Sequence, residues 1–225
     1  MRNSGFDVLC SLNNLRRLML GLGGTLEIAA VSVAVSVVLG VFCGFAMMSK
    51  NKAVYGLFRA YLEAFRIVPI LVWLFLFFFG SAIAFGADLE GWFVSVLVFS
   101  LWGTAEMGDL VRGTVLSIPA HQWQSAEAIG LTPWQVRRFV IIPQALRRIA
   151  PSAINLVTRM IKTTSLVVFV GVTDILRVGK QIIEFNMMRN PMASFWVYGF
   201  IFLIYFLVCY PISKFSKKLE EKWSY

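Results

Sequence analysis

The segment from Ser117 to Ser152 reads SIPAHQWQSAEAIGLTPWQVRRFVIIPQALRRIAPS, a polar and basic island in an otherwise apolar chain. Its first part predicts a short helix that ends at Gly130, since glycine is a common residue just past a helix end. Thr132 and Pro133 have the pattern of an N-cap followed by proline at the first helical position. We expect this second short helix to stop at Pro143. Two brief helices joined at a glycine predict a compact knob in water.

The composition of the whole chain is that of a membrane protein. Hydrophobic residues make up 58% of its 225 residues, and the mean hydropathy is +0.74. These values are too apolar for a soluble domain, and the length suits several spans. Basic residues cluster between apolar runs, so the net charge of +9 indicates membrane topology and contact with lipid headgroups rather than nucleic acid. The cysteines, Cys10, Cys43 and Cys209, have neither disulfide nor zinc spacing.

Apolar runs along the chain predict an all-α integral membrane fold with five transmembrane helices. Residues 28–49 and 67–87 carry no charge and are long enough to cross about 30 Å of hydrocarbon as helices. A third span begins near Gly91 and a fourth near Arg159, and both carry charged residues. The fifth span, residues 190–213, is again uncharged and has aromatic residues towards its ends, as the membrane interface favours.

The distribution of charge also predicts boundaries and orientation. In residues 1–22 apolar side chains recur at intervals of three among charged ones, which is typical of an amphipathic helix in the membrane interface. Residues 23–215 then form one transmembrane domain with the loop 117–152, and residues 216–225 form a tail. Because basic residues concentrate on the side of this loop and tail, both are predicted to be cytoplasmic, with the amino terminus outside.

Charged side chains inside the third span are candidates for a solute pathway. Glu106, Asp109 and Arg112 recur at intervals of three, so they form one stripe on a helix in which Asp109 can pair with Arg112. A charge at this depth costs several kcal/mol unless it is paired or meets water. The stripe therefore predicts either a path for a polar solute or an ion pair that only fixes packing, and a transported cation would suit Glu106.

Two further polar breaks are candidates for the same pathway. Lys162, Thr164 and Ser165 interrupt the fourth span, where a broken helix would offer hydroxyl groups and a helix terminus to a zwitterion; a plain packing role is the alternative. Arg66 precedes the second span, where it would either face the solute or reach lipid phosphate. The sequence carries no nucleotide-binding fingerprint and no set of convergent metal ligands, so any work on ATP must belong to a partner.

The polar segment resembles the cytoplasmic coupling loop of bacterial ABC importer permeases, whose pattern is E-A-A-x3-G-x9-I-x-L-P. Ala126, Gly130 and Pro143 fall on positions of this pattern, whereas Gln124 and Ser125 replace its Glu and first Ala. The flanking stretches S-I-P-x-x-Q-W, G-L-T-P-W-Q and I-I-P-Q-A-L-R resemble the subgroup that imports polar amino acids.

This resemblance implies a fold, partners and site residues. It implies a type I ABC importer permease in the bacterial inner membrane, working with two ATPase subunits, a second permease copy or related permease, and an extracytoplasmic substrate-binding protein. ATP would be used by the ATPase, and no cofactor would be bound by this chain. The stretch A-E-M-G-D-L-V-R-G resembles the family's A-Y-x-x-E-x-x-R-G and places Asp109 at the Glu position. We expect the ATPase-coupling surface to comprise Gln124, Ser125, Ala126, Gly130, Trp134, Arg137, Arg138 and Pro143.

Two other classes of protein stay open at this point. An ion-coupled secondary transporter would use Glu106 and Asp109 as titrating groups and would need no ATPase. A membrane-embedded enzyme would need a nucleophile with its base, or a metal centre, and the sequence offers neither constellation. We therefore expect a transport protein that is not itself an enzyme and that carries a polar or cationic amino acid.

Overall fold

The computed structural model describes residues 5–86 and 88–223, and these residues form helices and connecting turns without a strand. The expectations for residues 1–4 of the amphipathic segment, for Ala87 at the end of the second span, and for residues 224–225 of the tail lie outside the described residues. The described part confirms the all-α prediction.

The helices follow one another with short connections. In chain order they are α1 (Asp7–Cys10), α2 (Leu12–Ala46), α3 (Lys52–Ile67), α4 (Ile70–Phe85), α5 (Gly91–Leu116), α6 (Ala120–Ala128), α7 (Pro133–Gln135), α8 (Ile142–Thr163), α9 (Ile175–Asn186) and α10 (Ala193–Trp223). A π-helical segment, Val136–Ile141, joins α7 to α8, and a 3-10 segment, Thr164–Val170, follows α8.

Four helical runs in the described chain are long and apolar enough to cross a membrane, namely α2, α5, Pro133–Val170 and α10. A fifth candidate is a bent pair, because Lys52–Ile67 and Ile70–Ile83 meet at 102°. The bend follows from Pro69, which has no N–H to donate and disfavours a helical conformation in the residue before it. Val68 accordingly has an extended backbone, with ψ at 128°. Counting the pair as one span gives five, the number predicted from the sequence. The second and fourth runs, however, begin at Lys52 and Pro133, earlier than the predicted Ile67 and Arg159.

The chain divides into two compact units. The first comprises the described parts of Met1–Ser32 together with Ile70–Phe99 and Arg159–Pro211. The second comprises Val33–Pro69 and Ser100–Thr158 with the described part of Ile212–Tyr225. The first unit has an apolar core contributed by α1, α2, α9 and α10, with buried side chains that include Leu18, Ile175, Ile182, Val197 and Ile201.

Helix α2 runs without interruption across residue 22, where the sequence analysis placed the boundary between the amphipathic segment and the transmembrane domain. The glycines near this boundary are contact points of the first unit. A Cβ on Gly21 would lie 2.9 Å from the carbonyl oxygen of Asp174, and one on Gly24 would lie 2.7 Å from that of Thr173. Glycine at these positions lets another backbone approach the helix closely.

Asp174 begins α9, a role that the sequence analysis did not assign. Its carboxylate accepts a hydrogen bond of 2.8 Å from the N–H of Arg177, and its side chain is fully buried. The N–H of Ile175 donates to the hydroxyl of Thr25 on α2 at 3.3 Å. Burial raises the pKa of Asp174 above its ordinary value, because desolvation disfavours the charged carboxylate. The signal in the sequence was an acidic residue just before an amphipathic run.

The second unit depends on a close contact between α2 and α5. Gly40 and Gly44, four residues apart on α2, face the stretch from Met107 to Val111 on α5. A Cβ on Gly44 would lie 2.6 Å from the Cβ of Val111, and one on Gly108 would lie 2.9 Å from the Sγ of Cys43. The small residues at this spacing therefore allow the close approach that is typical of packed membrane helices.

Replacing Gly44 by alanine is expected to destabilise the protein by about 1 to 3 kcal/mol, because the added methyl group overlaps Val111 and the helices must separate. The matched control is Gly23→Ala in the same helix, where no atom lies within 4 Å of the new methyl group. We expect the control to be neutral or slightly stabilising. Thermal unfolding in detergent, followed by tryptophan fluorescence, measures both. Equal midpoints for the two variants would contradict the contact.

Candidate coupling surface and solute pathway

Helix α6 ends at Gly130, as the sequence predicts. Gly130 has a left-handed backbone with φ at +88°, which favours glycine. The N–H of Leu131 donates to the carbonyl oxygen of Ala126 at 3.2 Å, and the N–H of Gly130 donates to that of Glu127 at 2.9 Å. These two bonds form a Schellman motif and satisfy the last carbonyl groups of the helix. The space beside Gly130 is open, since a Cβ there would meet no atom within 4 Å.

The second helix of the loop begins as predicted but does not end at Pro143. Thr132 and Gln135 form a reciprocal capping box, and Pro133 occupies the first helical position. The helix then widens in the π-helical segment, where the N–H of Ile142 donates to the carbonyl oxygen of Arg137, five residues earlier. The changed hydrogen-bond pattern accommodates the missing N–H of Pro143, so the predicted stop is wrong and the helix continues to Thr163.

The loop presents an exposed apolar edge around Gly130. Ile129 is 79% exposed and Trp134 is 61% exposed. The guanidinium group of Arg138 lies over the Trp134 ring at 5.1 Å from its centroid, a cation–π contact that fixes both side chains at the surface. Further exposed members of the predicted coupling surface are Gln124, Ser125, Arg137 and Pro143.

Ala126 and Arg137 differ from the other predicted coupling residues. Ala126, which we expected at the contact with a partner, is only 5% exposed, because this face of α6 packs inward on its own chain. Its small side chain therefore allows close packing within the loop. Arg137 is exposed but lines a cavity in the second unit, beside Ser117 and Trp123.

Side-chain hydrogen bonds tie the loop to α8. The amide nitrogen of Gln144 donates to the side-chain oxygen of Gln122 at 3.2 Å. The guanidinium group of Arg148 lies 3.4 Å from the hydroxyl of Ser117 and 3.5 Å from its carbonyl oxygen, to which it donates. The loop is therefore a structured extension of the helix that follows it.

The charged stripe of the third span lies on α5, but its pairing differs from the prediction. The carboxylate of Asp109 accepts a hydrogen bond of 2.9 Å from the guanidinium group of Arg66 on α3, not from Arg112. Arg112 instead lies over the ring of Tyr55, at 5.9 Å from its centroid. Both partners, Arg66 and Tyr55, therefore lie on α3. The signal in the sequence that could have identified them is the amphipathic pattern of this helix. Glu106 is half-buried on the same helix as Asp109.

The predicted polar break in the fourth span lies in the first unit. Helix α8 ends at Thr163 and tightens into the 3-10 segment. The hydroxyl of Thr164 is buried and donates to the carbonyl oxygen of Ile161 at 2.7 Å, so it is used within its own helix. Lys162 is exposed and Ser165 is half-buried. The break is confirmed as a change of helix type, and Ser165 and Lys162 are its accessible polar groups.

Comparison with known proteins gives a consistent result. Residues 36–219 match the family described as binding-protein-dependent transport system inner membrane component. A probable amino-acid ABC transporter permease of Bacillus subtilis (strain 168) is 30% identical over 98% of this chain and 95% of its own length. The glutamine transport system permease of Escherichia coli (strain K12) is 28% identical over 88% of this chain and 89% of its own length.

A solved structure confirms the likeness of fold. It is the crystal structure of an amino acid ABC transporter with histidines, and it superimposes with a TM-score of 0.86 at 27% identity, over 96% of this chain and 98% of that one. The described helices thus have the type I ABC importer permease fold. Both the matched family and the relative that is 30% identical cover most of the chain, which therefore belongs to the family of binding-protein-dependent transport system inner membrane components.

Proposed function

We propose that this chain is the permease subunit of an ABC importer that moves an amino acid across the inner membrane. The observation that carries the proposal is the exposed loop around Gly130, which has a fixed backbone and an apolar edge on a membrane-spanning chain. Similarity to amino-acid permeases over nearly the full length supports the substrate class. The family does not support the alternative of an ion-coupled secondary transporter, which would have no use for such a loop.

The partners follow from the same proposal. ATPase subunits dock on the loop and hydrolyse ATP, so the permease itself is not an enzyme and binds no cofactor. A second permease copy or related permease completes the pathway, and an extracytoplasmic binding protein delivers the amino acid. The concentration of basic residues in and around the loop supports a cytoplasmic location for it and for the carboxyl terminus, with the amino terminus outside.

The chemistry of the loop edge suits a protein partner. Ile129 and Trp134 flank Gly130 and expose large apolar surfaces, which are unfavourable in water unless a partner covers them. A tryptophan and an arginine held in one orientation are typical anchors of protein interfaces. The ATPase groove therefore receives Ile129 and the Trp134–Arg138 pair, with Gly130 providing the clearance between them.

Gly130→Arg is expected to weaken ATPase association and ATP-driven uptake together, because a long charged side chain would occupy the open clearance in the docking face. The matched control is Gly86→Arg. Gly86 also has a positive φ, at +63°, and no atom lies within 4 Å of a Cβ there, so both variants carry a similar backbone strain of about 1 to 2 kcal/mol. Co-purification with the ATPase and uptake into proteoliposomes are measured. Normal ATP-driven uptake by Gly130→Arg would refute the docking role.

The solute path is proposed to run along α5. Asp109 and Arg66 keep 33% and 47% of their side chains exposed although they form an ion pair, so a polar solute has access to both charges. Glu106 lies one turn away on the same helix and adds a second carboxylate where the wider family has an aromatic residue. Lys162 and Ser165 stay candidate contacts on the evidence of the sequence and of their accessibility. Because Asp109 is paired with Arg66, Glu106 is the carboxylate proposed to meet a positive group of the solute, so cationic or polar amino acids are the proposed substrates.

Glu106→Gln is expected to change the ranking of transported amino acids, lowering apparent affinity for cationic ones about tenfold, which corresponds to the loss of one charged contact. Competition for uptake across the amino acids measures the ranking in proteoliposomes. Glu221→Gln is the control, since it removes a carboxylate from the exposed end of α10. If Glu106→Gln keeps both affinity and ranking, the residue is structural and the cationic preference is wrong.

Removing either partner of the Arg66–Asp109 pair is expected to impair transport more than stability. A partly exposed ion pair contributes at most about 1 kcal/mol to folding, so Arg66→Gln and Asp109→Asn should shift the unfolding midpoint only slightly while lowering uptake severalfold. The double variant tests whether the two losses are coupled. A fall in uptake that merely follows the loss of folded protein would assign the pair a packing role.

A further inference from the structure

A large apolar groove opens in the second unit beside the coupling loop. Its volume is about 850 Å³, within the range of about 300 to 1,000 Å³ that is usual for small-molecule sites. The last turns of α2 and α5, the start of α6 and the first turns of α8 enclose it. Phe45, Leu116 and Leu146 line the groove, and each is half or more exposed. The chain alone therefore leaves an extended apolar surface uncovered.

The groove lies where two membrane-spanning helices end. One side of it runs from Val41 on α2 to Met48 just beyond the end of that helix, and Lys50 and Lys52 follow closely. Its residues on α5 are within the last two turns, and the polar coupling loop follows directly. A cavity at the ends of two candidate spans is expected near the border between hydrocarbon and headgroups, where an occupant would reach both acyl chains and phosphate.

The polar groups at the rim of the groove are basic. Arg137 lines it directly, and Arg148 contacts Ser117, which also lines it. Among the described lining residues none is acidic. Arg138, the neighbour of Arg137, is stacked on Trp134 and does not line the groove. The rim thus offers guanidinium donors to an anion at the mouth of an apolar space.

We propose that this groove is a binding site for an anionic phospholipid of the surrounding membrane. Its acyl chains lie along Phe45, Leu116 and Leu146, and its phosphate accepts hydrogen bonds from Arg137 and Arg148. Guanidinium groups bind phosphate well because they present paired donors, and basic pockets between membrane helices at the cytoplasmic side are typical sites of anionic lipid headgroups. A flexible chain with a negative head matches both the apolar lining and the basic rim.

The test is lipid binding to the purified full-length chain, measured by native mass spectrometry with phosphatidylglycerol and phosphatidylcholine of identical acyl chains. We expect phosphatidylglycerol to bind at least about tenfold more tightly than phosphatidylcholine. Arg137→Gln should lower the affinity for phosphatidylglycerol about tenfold, the expected loss for one charge-assisted hydrogen bond. The matched control is Arg147→Gln, which removes the same charge from an exposed position of α8 that does not line the groove, and it should change the affinity less than twofold.

A second variant tests the apolar part of the site. Leu146→Trp fills the groove from an already exposed position and should reduce binding of phosphatidylglycerol without the loss of a charge, while thermal unfolding verifies that each variant is folded. Equal binding of the two lipids, or equal effects of Arg137→Gln and Arg147→Gln, would overturn the proposal in favour of diffuse attraction. Loss of bound lipid from the assembly with its ATPase and second permease would show that a protein partner covers the groove instead.

Discussion

The packing of α2 against α5 through glycine is the constraint on which the second unit depends. Because Gly108 packs closely against Cys43 and Gly44, this contact constrains the rotation of α5 about its axis. Asp109, the next residue, then points to another side of the helix, where α3 brings Arg66 to 2.9 Å. Methyl groups at the glycines would separate the helices and turn this side away. The charged pair of the proposed solute path thus depends on the apolar contact of the neighbouring residue, Gly108.

Two prolines have different effects on the helices that contain or precede them. The chain bends at Pro69, whereas the helix continues through Pro143. Before Pro69 the chain takes an extended conformation, so the direction of the helix changes by 102° between Lys52–Ile67 and Ile70–Ile83. At Pro143 the preceding π-helical turn has already moved the hydrogen-bond pattern by one residue, so the missing N–H interrupts nothing further. The effect of a proline on a helix thus depends on the hydrogen-bond pattern around it, because that pattern decides which carbonyl group loses a donor when the N–H is missing.

Local signals in the sequence predicted the end of α6, the start of α7 and the number of spans, but not the continuation of the helix past Pro143. Gly130 and the Thr132–Pro133 pair act through bonds to residues three to five positions away, and long apolar runs favour a span. Pairing across helices was not predictable in this way. Asp109 was matched to Arg112 by sequence spacing, whereas its partner Arg66 is set by how α3 packs on α5. Ala126 was expected at the contact with a partner, but it is buried. The rotation of a short helix about its axis is set by tertiary packing, which the spacing of residues in the sequence does not show.

The sequence also did not separate the surroundings of Arg137 from those of Arg138. Both are exposed and adjacent, and by sequence they form one basic patch for the ATPase. In the structure the guanidinium group of Arg138 lies over the ring of Trp134 at the exposed apolar edge of the loop, whereas Arg137 lines the apolar groove. Both stand on one helical run that continues from the loop to the 3-10 segment at Thr164. A lipid held at Arg137 would therefore contact the same helical run as a partner that covers Trp134 and Arg138.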